Sequence, residues 1–139
     1  MTAVVLAGGK RDAVAASDPT APNKAFVAIA GRTLVERTID ALRASPHVAE
    51  IVAVAPAGAA GRAELSGAGA VRPSGPRMRD SLRSGVDGLP PGEQVLVAAS
   101  DLPILSQEAV DEFVERALAL DADLVYACVE RAACSSHPR

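Results

Sequence analysis

The chain has 139 residues, of which 49% are hydrophobic and only 2% are aromatic, and its formal net charge is −3. This length and apolar content favour a single folded domain with a core of small aliphatic side chains, and they argue against a disordered chain. The slight acidity argues against a general nucleic-acid binder, which carries a basic face, and no apolar run is long enough to span a membrane.

The N-terminal sequence and the cysteines indicate the cellular compartment in which we expect the protein. No basic segment precedes a long apolar stretch, as a secretory signal peptide requires. The two cysteines, Cys128 and Cys134, form neither a CxxC metal pair nor a disulfide framework. We therefore expect a cytoplasmic protein, with Cys128 as a small core residue on a strand.

The first predicted strand ends in glycines and cations. The run Ala3–Ala7 has the length and the β-branched centre of a buried strand, and it is followed by Gly8, Gly9, Lys10 and Arg11. Glycine lets backbone N–H groups approach an anion closely, and basic side chains supply the counter-charge. This stretch therefore predicts a loop that binds a phosphate group.

A long loop and a capped helix come next. Residues 8–30 are rich in loop-forming residues, and a loop of that length inside a compact domain tends to be functional. Thr33 and Glu36 then match the T-x-x-E capping box that begins a helix, which ends before Ser45-Pro46.

The remaining elements alternate strand and helix. Further strands are predicted at 50–55, 70–72, 94–99 and 124–129, further helices at 78–88 and from Ser106 onward, and an unstructured tail at 130–139. In the helix at 78–88, Met78, Leu82 and Val86 are spaced as one apolar face. Continuously apolar strands that alternate with helices predict an α/β fold, a three-layer sandwich with a mostly parallel, Rossmann-like sheet. Ligands of such sheets bind at the carboxyl ends of the strands.

The phosphate-binding motifs narrow the choice of ligand. The chain contains neither a Walker A motif nor G-x-G-x-x-G after its first strand. Instead it has L-A-G-G at 6–9, P-N-K at 22–24, S-G-P-R-M-R-D-S-L at 74–82 and S-D-L-P at 100–103. This ordered set resembles the nucleotidyltransferase family that includes molybdenum cofactor guanylyltransferase. More distant relatives are the sugar-phosphate and methylerythritol-phosphate nucleotidyltransferases.

The resemblance extends from Ala3 to about Val129 and implies a nucleotide-binding domain at 1–129 with a flexible tail at 130–139. It also implies roles for individual residues around a nucleotide. Leu6 and Ala7 would lie beside the base, Gly8 and Gly9 around the phosphates, Lys24 near the α-phosphate, Ser81 near base or ribose, and Asp101 on Mg²⁺. Lys10 or Arg11 would add positive charge, although the family places its arginine several residues farther from the glycines.

The implied reaction is a Mg²⁺-dependent transfer of a nucleoside monophosphate from a triphosphate to a phosphorylated acceptor, with release of pyrophosphate. The likeness to a guanylyltransferase suggests GTP, while the residues themselves name neither base nor acceptor. Family members run on for tens of residues past the strand at 124–129. A truncated member, a non-catalytic nucleotide-binding module and an enzyme completed by a partner therefore stay open, as does a homo-oligomer formed through the sheet edge. A receiver-like signalling domain is disfavoured, because it needs an acidic pair where this chain has Gly8-Gly9.

Overall fold

The computed structural model describes residues 1–130, which form a four-stranded parallel sheet, a two-stranded hairpin and three α-helices. The elements are β1 (Thr2–Leu6), β2 (Ala28–Ile29), β3 (Arg32–Thr33), α1 (Leu34–Ala44), β4 (Glu50–Ala55), β5 (Ala70–Pro73), α2 (Met78–Val86), β6 (Val95–Ala99) and α3 (Gln107–Leu118). The sheet order is β5-β4-β1-β6, and β2 pairs with β3 in an antiparallel hairpin. The predicted α/β fold with a mostly parallel sheet is confirmed.

Strand β1 lies at the centre of the sheet and is covered on both faces. Ala3 and Val5 belong to the larger apolar cluster, which includes buried residues of α1 and α3, and Val4 belongs to a smaller cluster that Val86 of α2 packs against. All three are fully buried. An unbroken apolar run is what a strand with two covered faces requires.

Strand β6 lies at the edge of the sheet and is less well covered. Ala98 is buried among the residues of the larger cluster, but Val97 on the opposite face is 45% exposed. The reason is the position of α2, which packs on β1, β4 and β5.

Local signals correctly predict how two helices begin. The side chain of Thr33 accepts a hydrogen bond from the Glu36 N–H, and the Glu36 carboxylate accepts one from the Thr33 N–H at 2.8 Å. The Ser106 side chain accepts a hydrogen bond from the Ala109 N–H at the start of α3. Each cap satisfies N–H groups that have no partner inside the helix.

The predicted apolar face of α2 is wrong at Met78, although Val86 does pack against the smaller apolar cluster. Met78 is 78% exposed, whereas the buried residues of this helix are Ser81 and Gly85. A Cβ atom on Gly85 would lie 2.4 Å from Val4 Cγ1, so the helix approaches the sheet through its small residues. Regular spacing of large apolar residues does not reveal an interface in which backbone packs against side chains.

The strand predicted at 124–129 is also wrong. These residues form no regular structure, and Leu124, Tyr126 and Val129 are 79%, 76% and 72% exposed. Cys128 is exposed as well, and not a core residue. Apolar β-branched residues can form a strand only beside a strand that accepts their hydrogen bonds, and none within residues 1–130 pairs with this segment.

Two further expectations concern the loop and the tail. The predicted loop at 8–30 contains single 3₁₀ turns at Ala15–Ser17 and Lys24–Phe26 and ends in the β2 strand of the hairpin. The predicted tail at 130–139 lies outside the described residues from position 131 onward. Within the described part of the chain, no helix has the length and apolarity needed to cross a membrane.

Candidate functional site

The candidate site lies where the parallel strands end. Because β1, β5 and β6 run in the same direction, their carboxyl ends lie along one edge of the sheet. The residues that follow them are Gly8 and Gly9 after β1, Ser74 and Gly75 after β5, and Ser100 and Asp101 after β6. The parallel topology thus brings together three segments whose motifs predicted a binding site.

Lys24 and Asp101 form an ion pair at this edge. The Lys24 Nζ lies 2.6 Å from Asp101 Oδ2, and the two side chains are 46% and 37% exposed. The hydrogen bond from Lys24 lowers the pKa of Asp101 below its ordinary value, and the same bond raises the pKa of Lys24. The structure therefore places a cation and a carboxylate together, each partly open to solvent.

The glycine loop offers backbone donors. Among the described residues, the N–H groups of Gly8, Gly9 and Lys10 have no acceptor in the chain. Gly9 has a φ of +156°, which side-chain-bearing residues rarely adopt, and nothing lies within 4 Å of where its Cβ would be. Consecutive free N–H groups of this kind are suited to an anion.

Leu6 and Ala7 lead into that loop in different environments. Leu6 ends β1, paired with Val54 on one side and Ala99 on the other. Ala7 is fully buried; its N–H donates to the Val54 carbonyl at 2.8 Å, and its own carbonyl accepts from Asn23. The Ala7 N–H is therefore used inside the chain, whereas its carbonyl oxygen accepts one hydrogen bond there and has a second lone pair.

Ser81 supports the turn beneath the glycine loop. It is 6% exposed, and its Oγ accepts a hydrogen bond from the Gly75 N–H at 3.0 Å. A Cβ on Gly8 would lie 3.5 Å from that oxygen and 2.4 Å from Ser74 Cβ. Ser81 thus belongs to the site by position, and the contact that the structure gives it is to the protein backbone.

Arg11 and Lys10 are placed differently from Lys24. The Arg11 guanidinium donates to the carbonyl oxygens of Ala21 and Asp18, the latter at 2.9 Å, and so ties the loop to itself. Lys10 is exposed and, over residues 1–130, makes no ion pair. The cation that the structure brings to Asp101 is Lys24, and Arg11 stabilises the segment that leads to it.

One residue of the site was not assigned from the sequence. Asn23 is 2% exposed, and its side chain bonds both to the glycine loop and to the turn that carries Lys24. It stood inside the P-N-K motif, but an asparagine before a lysine is a common turn sequence. Its burial, which is a tertiary property, is what distinguishes it.

The Asp101 carboxylate at this edge fits a metal that arrives with its ligand. Mg²⁺ in nucleotide sites usually takes one or two carboxylates, with phosphate oxygens and water as the other ligands. Asp101 provides one partly exposed carboxylate, and no group of three or more His, Cys, Asp or Glu side chains in the described part of the chain could hold a metal alone. The residues therefore suit Mg²⁺ shared with a polyphosphate.

Comparison with known families gives one match that covers nearly the whole chain. A family model described as a MobA-like NTP transferase domain matches residues 3–137. That span includes the glycine loop, Lys24 and Asp101.

Solved structures agree with the fold. The 4-diphosphocytidyl-2C-methyl-D-erythritol synthase of Anaerococcus prevotii superposes with a TM-score of 0.67 at 14% identity over 94% of this chain. A nucleotidyl transferase from Methanothermobacter gives 0.63 at 28% identity over 82%, and Rv0371c of Mycobacterium tuberculosis gives 0.64 at 21% over 86%. The chain spans 59%, 56% and 61% of the lengths of these three proteins, respectively.

Proposed function

The chain belongs to the family of MobA-like NTP transferase domains, and from this premise we propose that it transfers a nucleoside monophosphate from a nucleoside triphosphate to a phosphorylated acceptor with the help of Mg²⁺. In this reaction an acceptor phosphate oxygen bonds to the α-phosphorus, the bond from that phosphorus to the bridging oxygen breaks, and pyrophosphate leaves. Several negative charges come together, so positioning and charge neutralisation dominate catalysis.

The observation that supports this proposal is the meeting of Lys24 with Asp101 beside the glycine loop. The two charged atoms are 2.6 Å apart at the edge where Gly8, Gly9 and Lys10 present free N–H groups. In the proposed complex each member of the pair exchanges its partner, Lys24 for a phosphate oxygen and Asp101 for Mg²⁺. Both side chains are exposed enough to make this exchange without moving the core.

Each group then has a defined task. The loop N–H groups bind phosphate oxygens, and the Lys24 ammonium neutralises charge near the α-phosphate. Asp101 anchors Mg²⁺, which when bound supplies positive charge to the phosphates. Arg11 keeps the intervening loop in shape through its carbonyl contacts.

Thermal unfolding with nucleotides tests the site. Each of the four nucleoside triphosphates, GTP included, is added with and without Mg²⁺, and we expect at least one of them to raise the Tm. Lys24→Ala and Asp101→Ala should each lose most of that shift, because each removes one charged contact to the ligand. Mg²⁺ alone should leave the Tm nearly unchanged, since Asp101 alone does not hold it.

The matched control is the exposed ion pair between Arg116 and Glu112 on α3, whose charged atoms are also 2.6 Å apart. Arg116→Ala and Glu112→Ala should keep the full nucleotide shift. If the Lys24 and Asp101 variants kept it too, the site assignment would be wrong.

A second assay separates catalysis from binding. Pyrophosphate release is measured with the stabilising nucleotide and a panel of phosphorylated acceptors. Release that depends on the acceptor, and is lost in Lys24→Ala, supports the transferase. Nucleotide binding without pyrophosphate from any acceptor would contradict it and favour the non-catalytic module.

A further inference from the structure

Asn23 is a buried amide that connects two parts of the site. Its side-chain Nδ2 donates to the Ala7 carbonyl at 2.9 Å and, more weakly, to the Gly9 carbonyl at 3.4 Å. Its Oδ1 accepts a hydrogen bond from the Ala25 N–H at 2.9 Å. Burying an amide costs free energy unless its donors and acceptors are satisfied, and here both ends of the amide are.

The two carbonyl contacts fix the orientation of the glycine loop. In a planar trans peptide the C=O and the N–H point in opposite directions. When the Ala7 carbonyl faces Asn23, the Gly8 N–H of the same peptide unit faces away, and the Gly9 carbonyl likewise turns the Lys10 N–H away. These are N–H groups that have no acceptor within residues 1–130.

The third contact fixes the turn that carries the lysine. Asn23 is the N-cap of the 3₁₀ turn Lys24–Phe26, and its own backbone is extended, with φ −158° and ψ −176°. The residue that follows it is the one whose ammonium reaches Asp101. The Asn23 side chain therefore holds both the glycine loop, which carries the N–H donors, and the stretch of backbone that carries the Lys24 ammonium.

From these contacts we propose that Asn23 is a positioning residue, which keeps the N–H groups of Gly8 and Lys10 turned away from its own side chain and in register with Lys24 to receive a polyphosphate. The proposal rests on the proposed function for the identity of the ligand. It adds a residue that touches no substrate and acts through the glycine loop and through Lys24.

Two substitutions separate the bridge from the cap. Asn23→Ser keeps a side-chain oxygen that can cap the turn but is too short to reach the Ala7 and Gly9 carbonyls. Asn23→Ala removes both functions. Thr38→Val serves as the control, because Thr38 is fully buried and its hydroxyl donates only to the Leu34 carbonyl within α1.

The experiment combines backbone ¹⁵N relaxation with nucleotide binding, using the nucleoside triphosphate that stabilises the wild-type protein most. In Asn23→Ser we expect the order parameters of Gly8, Gly9 and Lys10 to fall and the Kd to rise about tenfold, the size expected for losing a hydrogen bond that orders a binding loop. Thr38→Val should change neither. Asn23→Ala is expected to show the same losses and a lower Tm than Asn23→Ser.

The outcomes for the two proposals are distinct. Unchanged loop order and affinity in Asn23→Ser would overturn the positioning role, as would equal losses in Thr38→Val. Should the wild-type protein bind no nucleoside triphosphate, the proposed function fails. In that case the order parameters of Gly8, Gly9 and Lys10 in Asn23→Ser still test whether Asn23 holds the glycine loop.

Discussion

The two glycines after β1 serve different purposes. A Cβ on Gly8 would collide with Ser74 Cβ at 2.4 Å, so this glycine lets the loop pack against the turn after β5. Gly9 has room around it but a φ of +156°, so it is needed for its backbone conformation. From the sequence, both glycines were expected to lie around the phosphates. The sequence could not show that one is required for close packing and the other for its backbone conformation.

The Lys24–Asp101 pair predicts a pH dependence of stability. Lys24 lowers the pKa of Asp101, so the stability that this group contributes is present above its unfolded pKa of about 3.9 and is lost as the pH falls through the folded value. Asp101 raises the pKa of Lys24, so that contribution is lost only at strongly alkaline pH. Both groups are partly exposed, and such pairs contribute about 0.2–1 kcal/mol.

We therefore expect Asp101→Asn to lower the free energy of unfolding by less than about 1 kcal/mol at pH 7. The difference from wild type should shrink as the pH falls below about 4, because the unfolded carboxylate takes up its proton there and the folded one does so at still lower pH. Urea unfolding of both proteins at pH 7 and pH 3 measures this difference in the free energy of unfolding. At pH 7, 1 M salt should also reduce the difference. A difference that stays constant down to pH 3 would show that the charge of Asp101 is not the cause.

At the level of elements, α2 shows how a helix is docked by small residues. Gly85 lies against the sheet, and its Cβ would be 2.4 Å from Val4 Cγ1 and 2.9 Å from Val54 Cγ2. The large Met78, at the first position of the helix, is exposed. Helical spacing predicted the helix itself, while its buried face depended on the sheet that it meets.

The close packing of Gly85 predicts that even one added methyl group lowers the free energy of unfolding. Alanine is the better helix former by about 1 kcal/mol, but overpacking a core costs about 1–3 kcal/mol. We expect Gly85→Ala to destabilise the protein by about 1 kcal/mol, measured by chemical denaturation. Gly58→Ala is the control, because Gly58 has nothing within 4 Å of its Cβ position and should change little. An unchanged or higher stability in Gly85→Ala would mean that α2 packs farther from the sheet.

At the level of the whole molecule, the sheet determines which backbone amides are protected from hydrogen exchange. Strands β1 and β4 pair with each other, and each has a second partner, whereas β6 has one paired edge within the described chain. Residues 121–130 form no helix or strand. Protection of backbone amides should follow this order, since protection reflects hydrogen bonding and burial.

Hydrogen exchange measures that order directly. We expect the amides of β1 and β4 to exchange slowest, through global unfolding, and those of 121–130 to exchange by the first time point. β6 should lie between them. Slow exchange at 124–129 would show that the strand predicted there does form in solution.

Features that rest on local physical chemistry could be predicted from the amino-acid sequence. Strand Glu50–Ala55, the capping box of Thr33 and Glu36, and the N-cap at Ser106 all follow from short patterns of apolar and capping residues. The resemblance of the motifs to a nucleotidyltransferase family also selected Lys24 and Asp101 as candidates. The strand and the two helix caps were predictable because each depends on a few neighbouring residues.

Features that require two distant segments to meet became visible only in the folded chain. Only the fold shows that Lys24 contacts Asp101, that Arg11 turns to its own loop, and that Asn23 links that loop to the lysine. It also decided that 124–129 is not a strand, because a strand is completed by hydrogen bonds to another strand and not by its own composition. Contacts between distant segments depend on chain topology, and no local pattern encodes them.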